Sequence, residues 1–187
     1  SLTELGSIKI NKEERTKMYK TIPRSSVIGF LIGVLPGAGA TIASFLAYGM
    51  ERNIVNDEEK EKFGKGSVNG LSAPETANNA ACSGSFVPML TLGIPGSGTT
   101  AVMLGALLGF GVQPGPRLYM TNPEIFWSII MSMYIGMVIL LILNLPLIPY
   151  IARILAVPKN YLIPLILFFS ITGIYVMSFN NFDIYLM

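Results

Sequence analysis

The chain has 187 residues, of which 51% are hydrophobic and 13% are charged, and its formal net charge is +2. Its mean hydropathy of +0.56 is far above that of a soluble domain, so we predict an all-α membrane protein embedded in the lipid bilayer. The charges are mixed in sign and form no basic stripe, which excludes nucleic acid as an expected partner. With one cysteine and no histidine, neither an intrachain disulfide nor a zinc site nor a His-based triad is expected.

The first segment, residues 1–24, mixes six basic residues with three acidic ones along a weak apolar face. This pattern is typical of a helix that lies at the membrane interface, and the excess of Lys and Arg predicts the cytoplasmic side. A solvated linker between membrane segments is the alternative.

An uncharged stretch, Ser25 to Met50, follows and is interrupted by Gly-Val-Leu-Pro-Gly-Ala-Gly-Ala-Thr at 33–41. Proline removes a backbone donor and glycine allows positive φ, so this cluster ends one helix and begins another. The stretch is either one broken spanning helix or a re-entrant hairpin. Basic residues at both ends favour the hairpin. The mixed charges that follow predict an exposed polar loop over 51–72.

A second uncharged stretch, Thr76 to Pro116, is interrupted by Gly-Ile-Pro-Gly-Ser-Gly-Thr-Thr at 93–100, and the same two shapes apply to it. The apolar runs 125–150 and 161–177 are the plainest spanning helices. Repeated broken helices are typical of secondary transporters, so the sequence predicts two Pro-Gly broken helices or re-entrant hairpins within one membrane-embedded transporter domain over 1–187.

The two breaks are the expected ligand sites, because broken backbone at membrane depth is found where it lines a cavity. The first amides of each restarting helix lack intrahelical partners and carry partial positive charge, which suits a carboxylate. The predicted substrate-binding residues are Pro36, Gly37, Gly39, Thr41, Asn78, Asn79, Pro95, Gly96, Ser97, Gly98 and Thr99, with Ser44 and Thr100 as further hydroxyls. Helix packing is the alternative explanation for glycines four residues apart, such as Gly29 and Gly33.

A second constellation, Glu75 with Asn78 and Asn79, begins the second uncharged stretch. An acid and two amides can coordinate Na⁺, relay a proton or bind a polar substrate, so these three residues are the predicted ion-coupling site. Na⁺ or H⁺ as coupling ion is the only cofactor expected. The alternative is a capping box, in which Ser72 and Glu75 tie off the start of a helix that has Pro74 in its first turn.

Several motifs in order resemble one known family: residues 29–49, Phe63-Gly-Lys-Gly66, Ala73-Pro-Glu-Thr-Ala-Asn-Asn-Ala80, Leu90-Thr-Leu-Gly-Ile-Pro-Gly-Ser97 and Pro114-Gly-Pro116. Together they are similar to the large membrane subunit of tripartite tricarboxylate transporters, over about Ile22 to Leu118.

The resemblance implies a multi-pass permease of the bacterial inner membrane rather than an enzyme. Its partners would be a small membrane subunit and an extracytoplasmic solute-binding protein that delivers a carboxylate, and an ion gradient would drive uptake. The chain is then expected to be a piece of a longer protein. A scaffold subunit, or an intramembrane enzyme that uses Glu75 with Ser72, are the alternatives.

Overall fold

The computed structural model of the protein describes residues 10–152 and 158–178, and these residues form helices without strands. The helices are α1 Lys12–Val34, α2 Gly39–Ile54, α3 Asp57–Lys60, α4 Val68–Gly84, α5 Phe86–Leu92, α6 Gly98–Gly109, α7 Leu118–Thr121, α8 Pro123–Ala152 and α9 Lys159–Ser178. This confirms the all-α fold class. The first nine residues of the predicted interfacial segment lie outside the described residues.

The chain divides into two compact units. The described residues 10–137 form the unit that contains α1 to α7 and the first half of α8. The other unit contains the described residues 138–152 and 158–178, whose large apolar side chains are mostly exposed. The single domain that the sequence predicts over 1–187 stays a prediction.

Helices α1 and α2 form an antiparallel hairpin. Asn11 and Glu14 begin α1 with a reciprocal capping box, and the helix then runs without a break to Val34, so residues 12–24 are its first part and not a separate helix. The turn at 35–38 reverses the chain, with Gly37 at φ +83°. Glu51 near the end of α2 accepts a hydrogen bond from Thr21 in α1. Because this contact joins the far ends of the two helices, the segment is a hairpin and not one straight broken helix.

Helix α4 packs closely on both helices of this hairpin through small residues. Its buried face and that of α2 form one cluster: Ala43, Ala47, Ala73, Ala77 and Ala81. From α1, Gly29 lies so close to Ala77 that a Cβ at Gly29 would stand 2.6 Å from the Cα of Ala77, and Gly33 meets Ala81 in the same way. Helix packing is therefore the role of these two glycines.

The second break also folds the chain back on itself. Gly93, in the left-handed region at φ +69°, ends α5, and Ser97 begins α6. Met89 and Leu90 of α5 form a buried cluster with Val112 and Leu118, against which Leu104 and Leu107 of α6 pack. The amide of Gly115 donates to the carbonyl of Leu90 at 3.1 Å. Helix α6 and the turn after it thus return alongside α5.

The segment 51–72 is not uniformly the exposed loop that the sequence predicts. It contains the end of α2, all of α3 and the start of α4, and four of its polar residues are buried: Glu51, Glu59, Ser67 and Asn69. Glu59 accepts from Lys17 at 3.0 Å and from Ser67 at 2.9 Å. The prediction was wrong for these residues because polar partners from α1 and α4 replace the water that a loop would have.

Helix α8 is the described helix best suited to cross a membrane. Its stretch Pro123–Ile148 is long and apolar enough by length and composition, and none of its most apolar window is buried. Helix α9 carries a shorter apolar stretch, Asn160–Tyr175. Both helices that the sequence predicts here are present, and a crossing by α9 stays a prediction.

The contact between α1 and α4 generates a stability prediction. Gly29→Ala should destabilise the protein by about 1 to 3 kcal/mol, because its methyl group overlaps the backbone of Ala77. Gly49→Ala is the matched control, since a Cβ there meets nothing within 4 Å, and it should be neutral or slightly stabilising. Thermal melting of both variants in detergent measures the difference. Equal melting of the two variants would contradict the close contact.

The ion pair between Lys17 and Glu59 generates a pH prediction. Burial raises the pKa of Glu59, but hydrogen bonds from Lys17 and Ser67 and the charges of Lys17 and Lys62 outweigh it, so the pKa of Glu59 lies below its ordinary value. A lowered pKa means that the ionised carboxylate stabilises the fold above the unfolded pKa of about 4.3, and that this stabilisation is lost as pH falls through the lower folded value. Glu59→Gln should therefore lose less stability than the parent protein when pH falls below about 4.

Glu58→Gln is the control for this experiment, because the side chain of Glu58 is 83% exposed and pairs with Lys62 at the surface, 3.5 Å away. It should follow the pH dependence of the parent. If Glu59→Gln lost as much stability in acid as the parent protein does, Glu59 would not contribute in this way.

Candidate functional site

Both Pro-Gly breaks lie against the same end of α4. Just before the first break, Gly33 packs on Gly84, which is the last residue of α4. A Cβ added to Gly84 would stand 3.2 Å from the Cα of Gly33. In the second break, Gly96 packs on Ser85: a Cβ added to Gly96 would stand 2.9 Å from the Cβ of Ser85. The fold therefore brings two segments that are distant in sequence to the C-terminal end of one helix.

The first break leaves the start of α2 open. No side chain caps this helix, since its N-cap residue is Ala38. Pro36, Gly37 and Thr41 are exposed, and Gly37 and Gly39 both have positive φ. Glycine is thus required at these two positions by the backbone conformation, and the first amides of α2 lack intrahelical partners.

Some residues of the second break stabilise the fold, and others are exposed without a structural role. Ser97 and Thr100 form a capping box, with the Ser97 amide donating to Thr100 Oγ1 at 2.9 Å, and Thr100 is 1% exposed. Their hydroxyls thus stabilise the start of α6, and Gly96 is needed for packing against Ser85. By contrast, Gly98 and Thr99 are exposed, and a Cβ at Gly98 would meet nothing within 4 Å. Gly98 also has an ordinary φ, so neither packing nor backbone conformation requires a glycine at this position.

Asn78 faces α2. Its Nδ2 donates to Ser44 Oγ at 3.4 Å, and the Ser44 hydroxyl reaches the carbonyl of Pro74 at 3.2 Å. These residues line a pocket of about 340 Å³ together with Thr41, Phe45 and Tyr48. Sequence reasoning did not identify Tyr48, although its helical spacing from Thr41 and Ser44 places all three on one face of α2. The pocket offers three hydroxyls and an amide.

Glu75 and Asn79 lie on a different side of α4 from Asn78. They line a pocket of about 450 Å³ with residues from the start of α1, including Glu14 and Met18. Asn79 Nδ2 donates to the carbonyl of Glu75 at 3.0 Å. The structure therefore does not bring together the three residues of the predicted ion-coupling set, and their role in coupling stays a prediction.

The capping box proposed for Ser72 and Glu75 is wrong. Helix α4 begins at Val68 and its cap is Ser67, whose Oγ accepts from the amide of Gly70 at 3.1 Å. Ser72 lies inside the helix and its hydroxyl donates to the carbonyl of Val68 at 2.8 Å. The sequence missed Ser67 because an apolar residue and Asn-Gly follow it. Ser72 is likewise not hydrogen-bonded to Glu75 as a nucleophile would be to its base.

A buried polar cluster, which we call the Glu51 cluster, joins α1, α2 and α4. Glu51 is 0% exposed, and its Oε1 accepts from Thr21 Oγ1 at 2.8 Å, from Arg24 Nη2 at 2.7 Å and from Asn69 Nδ2 at 3.0 Å. Removing one partner of a buried ion pair typically costs about 3 to 5 kcal/mol. The sequence signal for this cluster was Arg24 and Glu51 at the two ends of the uncharged stretch, which a hairpin brings together.

The described residues contain no group of three or more His, Cys, Asp or Glu side chains placed to hold a metal ion. Helical hairpins broken at Pro-Gly, with two helix starts gathered at one helix end, are the kind of architecture that membrane transporters use.

Within that class, the chain belongs to the TctA family. Residues 2–187 match the family described as "Tripartite tricarboxylate transporter TctA family". This confirms the resemblance carried by the motifs between Ile22 and Leu118. By its description, the family is one of transporters.

Two relatives come from Agrobacterium vitis. The "Uncharacterized 52.8 kDa protein in TAR-I ttuC' 3'region" is 42% identical over 176 residues, which is 94% of this chain and 35% of the relative. The "Uncharacterized protein in TAR-II ttuC' 3'region" is 45% identical over 157 residues, 84% of this chain and 64% of the relative. The chain thus spans about a third of the first relative and under two thirds of the second. No solved structure matches the chain.

Proposed function

We propose that the chain is part of the permease subunit of a secondary transporter in the bacterial inner membrane. It imports tricarboxylates or related carboxylates, works with a small membrane subunit and an extracytoplasmic solute-binding protein, and is coupled to an ion gradient. Family membership supports the proposal. The observation that carries it is the position of both Pro-Gly breaks at one end of α4.

Helix-start amides are the groups that we propose bind the substrate's carboxylates. The start of α2 has no side-chain cap, and at the start of α6 the residues Gly98 and Thr99 are exposed. Each helix start carries a partial positive charge that favours an anion. Two such starts near one helix end suit a substrate with more than one carboxylate.

The pocket between α2 and α4 supplies the side-chain donors. Asn78, Ser44 and Thr41 line it with Tyr48, so a substrate hydroxyl or carboxylate there has neutral hydrogen-bonding partners. In this proposal Asn78 contacts substrate, whereas Asn79 bonds within its own helix.

The absence of cationic side chains supports the proposed ion coupling. The stretches 25–50 and 76–116 contain no Lys or Arg, so a carboxylate bound there by amides and hydroxyls keeps its negative charge. Burying an uncompensated charge is costly. A co-transported cation offsets that cost and links carboxylate uptake to the cation gradient.

Gly98→Val tests the role of the α6 start. The side chain has room and the backbone is unstrained, so the protein should fold, but the bulk covers the helix-start amides. We expect uptake of labelled carboxylate by the complete transporter in proteoliposomes to fall by about tenfold or more, as for the loss of at least one hydrogen bond to a charged group.

Gly105→Val is the matched control, since it lies in the same helix and a Cβ there also meets nothing within 4 Å. It should transport normally. Gly39→Val is less informative, because the positive φ of Gly39 strains any larger residue. Parental uptake by well-expressed Gly98→Val would contradict the proposed site.

Asn78→Ala and Asn79→Ala test which amide contacts substrate. Asn78→Ala should raise the half-saturating substrate concentration by about fivefold to a hundredfold, since it removes a hydrogen-bonding partner worth roughly 1 to 3 kcal/mol. Asn79→Ala should leave it unchanged, because Asn79 lines a different pocket. Initial uptake rates at varied substrate concentration measure both. An equal effect of the two substitutions would argue against the pocket between α2 and α4.

A further inference from the structure

We propose that the Glu51 cluster is a Na⁺ site in which Na⁺ and the guanidinium of Arg24 compete for the carboxylate of Glu51. Na⁺ binding itself is argued from this cluster alone, while its role as the coupling ion rests on the proposed function. The site lies near the N-terminal end of α4, away from the breaks at the other end, and does not involve Glu75.

The hydrogen bonds of the Glu51 cluster are one-sided. All three donors converge on Oε1 of Glu51, while Oε2 is buried without a hydrogen-bond partner among the described residues. Asn69 donates its Nδ2 to Glu51, but its Oδ1 is also buried without a partner in the same part of the chain. Ser25, one turn after Thr21 on the buried face of α1, has a buried hydroxyl oxygen that also lacks a partner within residues 10–152 and 158–178.

These three oxygens are the ligands that a hard monovalent cation uses. A carboxylate, an amide carbonyl and a hydroxyl can all coordinate Na⁺ through oxygen. A buried acceptor without a partner destabilises the fold, and more so when it is charged. In the proposed site one Na⁺ takes all three oxygens as ligands, whereas one proton satisfies a single acceptor of Glu51.

The charges of the cluster make Na⁺ and Arg24 alternatives. Glu51 and Arg24 together are neutral, so adding Na⁺ with Arg24 in place would leave a net positive charge in a buried site, which is unfavourable. The Arg24 side chain is 37% exposed, so solvent can receive the guanidinium when it leaves Glu51. Its Nε is buried without a partner among the described residues, so the position on Glu51 does not satisfy the guanidinium fully.

A polar pocket gives the cluster access to cations. The pocket of about 290 Å³ is lined by Asn69 itself and by three acidic side chains, Glu13, Glu58 and Glu59. Lys17 and Lys62 also line it, each in an ion pair with Glu59. Asn69 thus connects the pocket to the buried carboxylate, which is the geometry of an entrance to a cation site.

The test is the thermal stability of the full-length protein in detergent, without substrate, in NaCl and in KCl at equal ionic strength. Na⁺ should raise the melting temperature of the parent more than K⁺ does, because a ligand that binds the folded state stabilises it. Arg24→Gln removes the competitor. The Na⁺ concentration that gives half of the stabilisation should therefore be at most about one tenth of the parental value.

Glu51→Gln should abolish the difference between Na⁺ and K⁺. Because that variant leaves Arg24 without its carboxylate partner, the double variant Arg24→Gln with Glu51→Gln gives a neutral cluster as a second measurement, and it too should show no Na⁺-specific shift. Lys20→Gln is a control that removes an exposed charge of α1 and should behave as the parent.

Three outcomes would overturn the proposal. Equal stabilisation by Na⁺ and K⁺ in the parent and in Arg24→Gln would indicate that water fills the cluster. Weaker Na⁺ binding by Arg24→Gln would exclude competition. Stabilisation of Arg24→Gln by acid, with no response to Na⁺, would make Glu51 a proton site. None of these measurements depends on uptake, so they fail or succeed separately from the Gly98→Val test of the proposed function.

Discussion

The close contact between α1 and α4 is the constraint on which the rest of the first unit depends. Gly29 and Gly33 lack side chains, so the two backbones touch Ala77 and Ala81 directly. In lipid there is little hydrophobic drive to bring helices together, and close van der Waals packing with interhelical hydrogen bonds must do so instead. The contact also fixes the position of the hairpin of α1 and α2 along the axis of α4. It therefore determines which residues of the hairpin meet each end of that helix.

The buried Glu51 cluster and the two Pro-Gly breaks lie at opposite ends of α4. At its start, Asn69 meets Glu51 and Thr21, and the Lys17–Glu59 ion pair lies nearby. At its end lie the two Pro-Gly breaks, with neutral amides and hydroxyls. Between these ends, α4 packs on α2 through a row of buried alanines. In the function that we propose, cation and carboxylate would bind at opposite ends of one rigid helix, and any coupling between them would pass through the packing of α1 and α2 on it.

The glycines of the two breaks have different physical roles despite their similar sequence context. Gly37 and Gly39 take positive φ, which other residues adopt only with strain. Gly96 is packed against Ser85, where a larger residue would overlap. Gly98 has neither constraint, which is why it carries the strongest argument for a ligand. Similarly, Ser97 and Thr100 look like ligand hydroxyls in the sequence, but they cap α6.

The sequence by itself determined the helical class, the positions of both breaks and the family, because hydrophobic runs, Pro-Gly pairs and ordered motifs are local properties. It also identified Gly29 and Gly33 as candidates for helix contact. Only the tertiary structure decided that α1 and α2 form a hairpin, that Asn78 and Asn79 serve different pockets, and that Ser67 and not Ser72 caps α4. It alone revealed the Glu51 cluster, since Thr21, Arg24, Glu51 and Asn69 meet through contacts between distant segments. Local patterns record which residues can form helices, whereas the partner of a buried charge depends on which helices pack together.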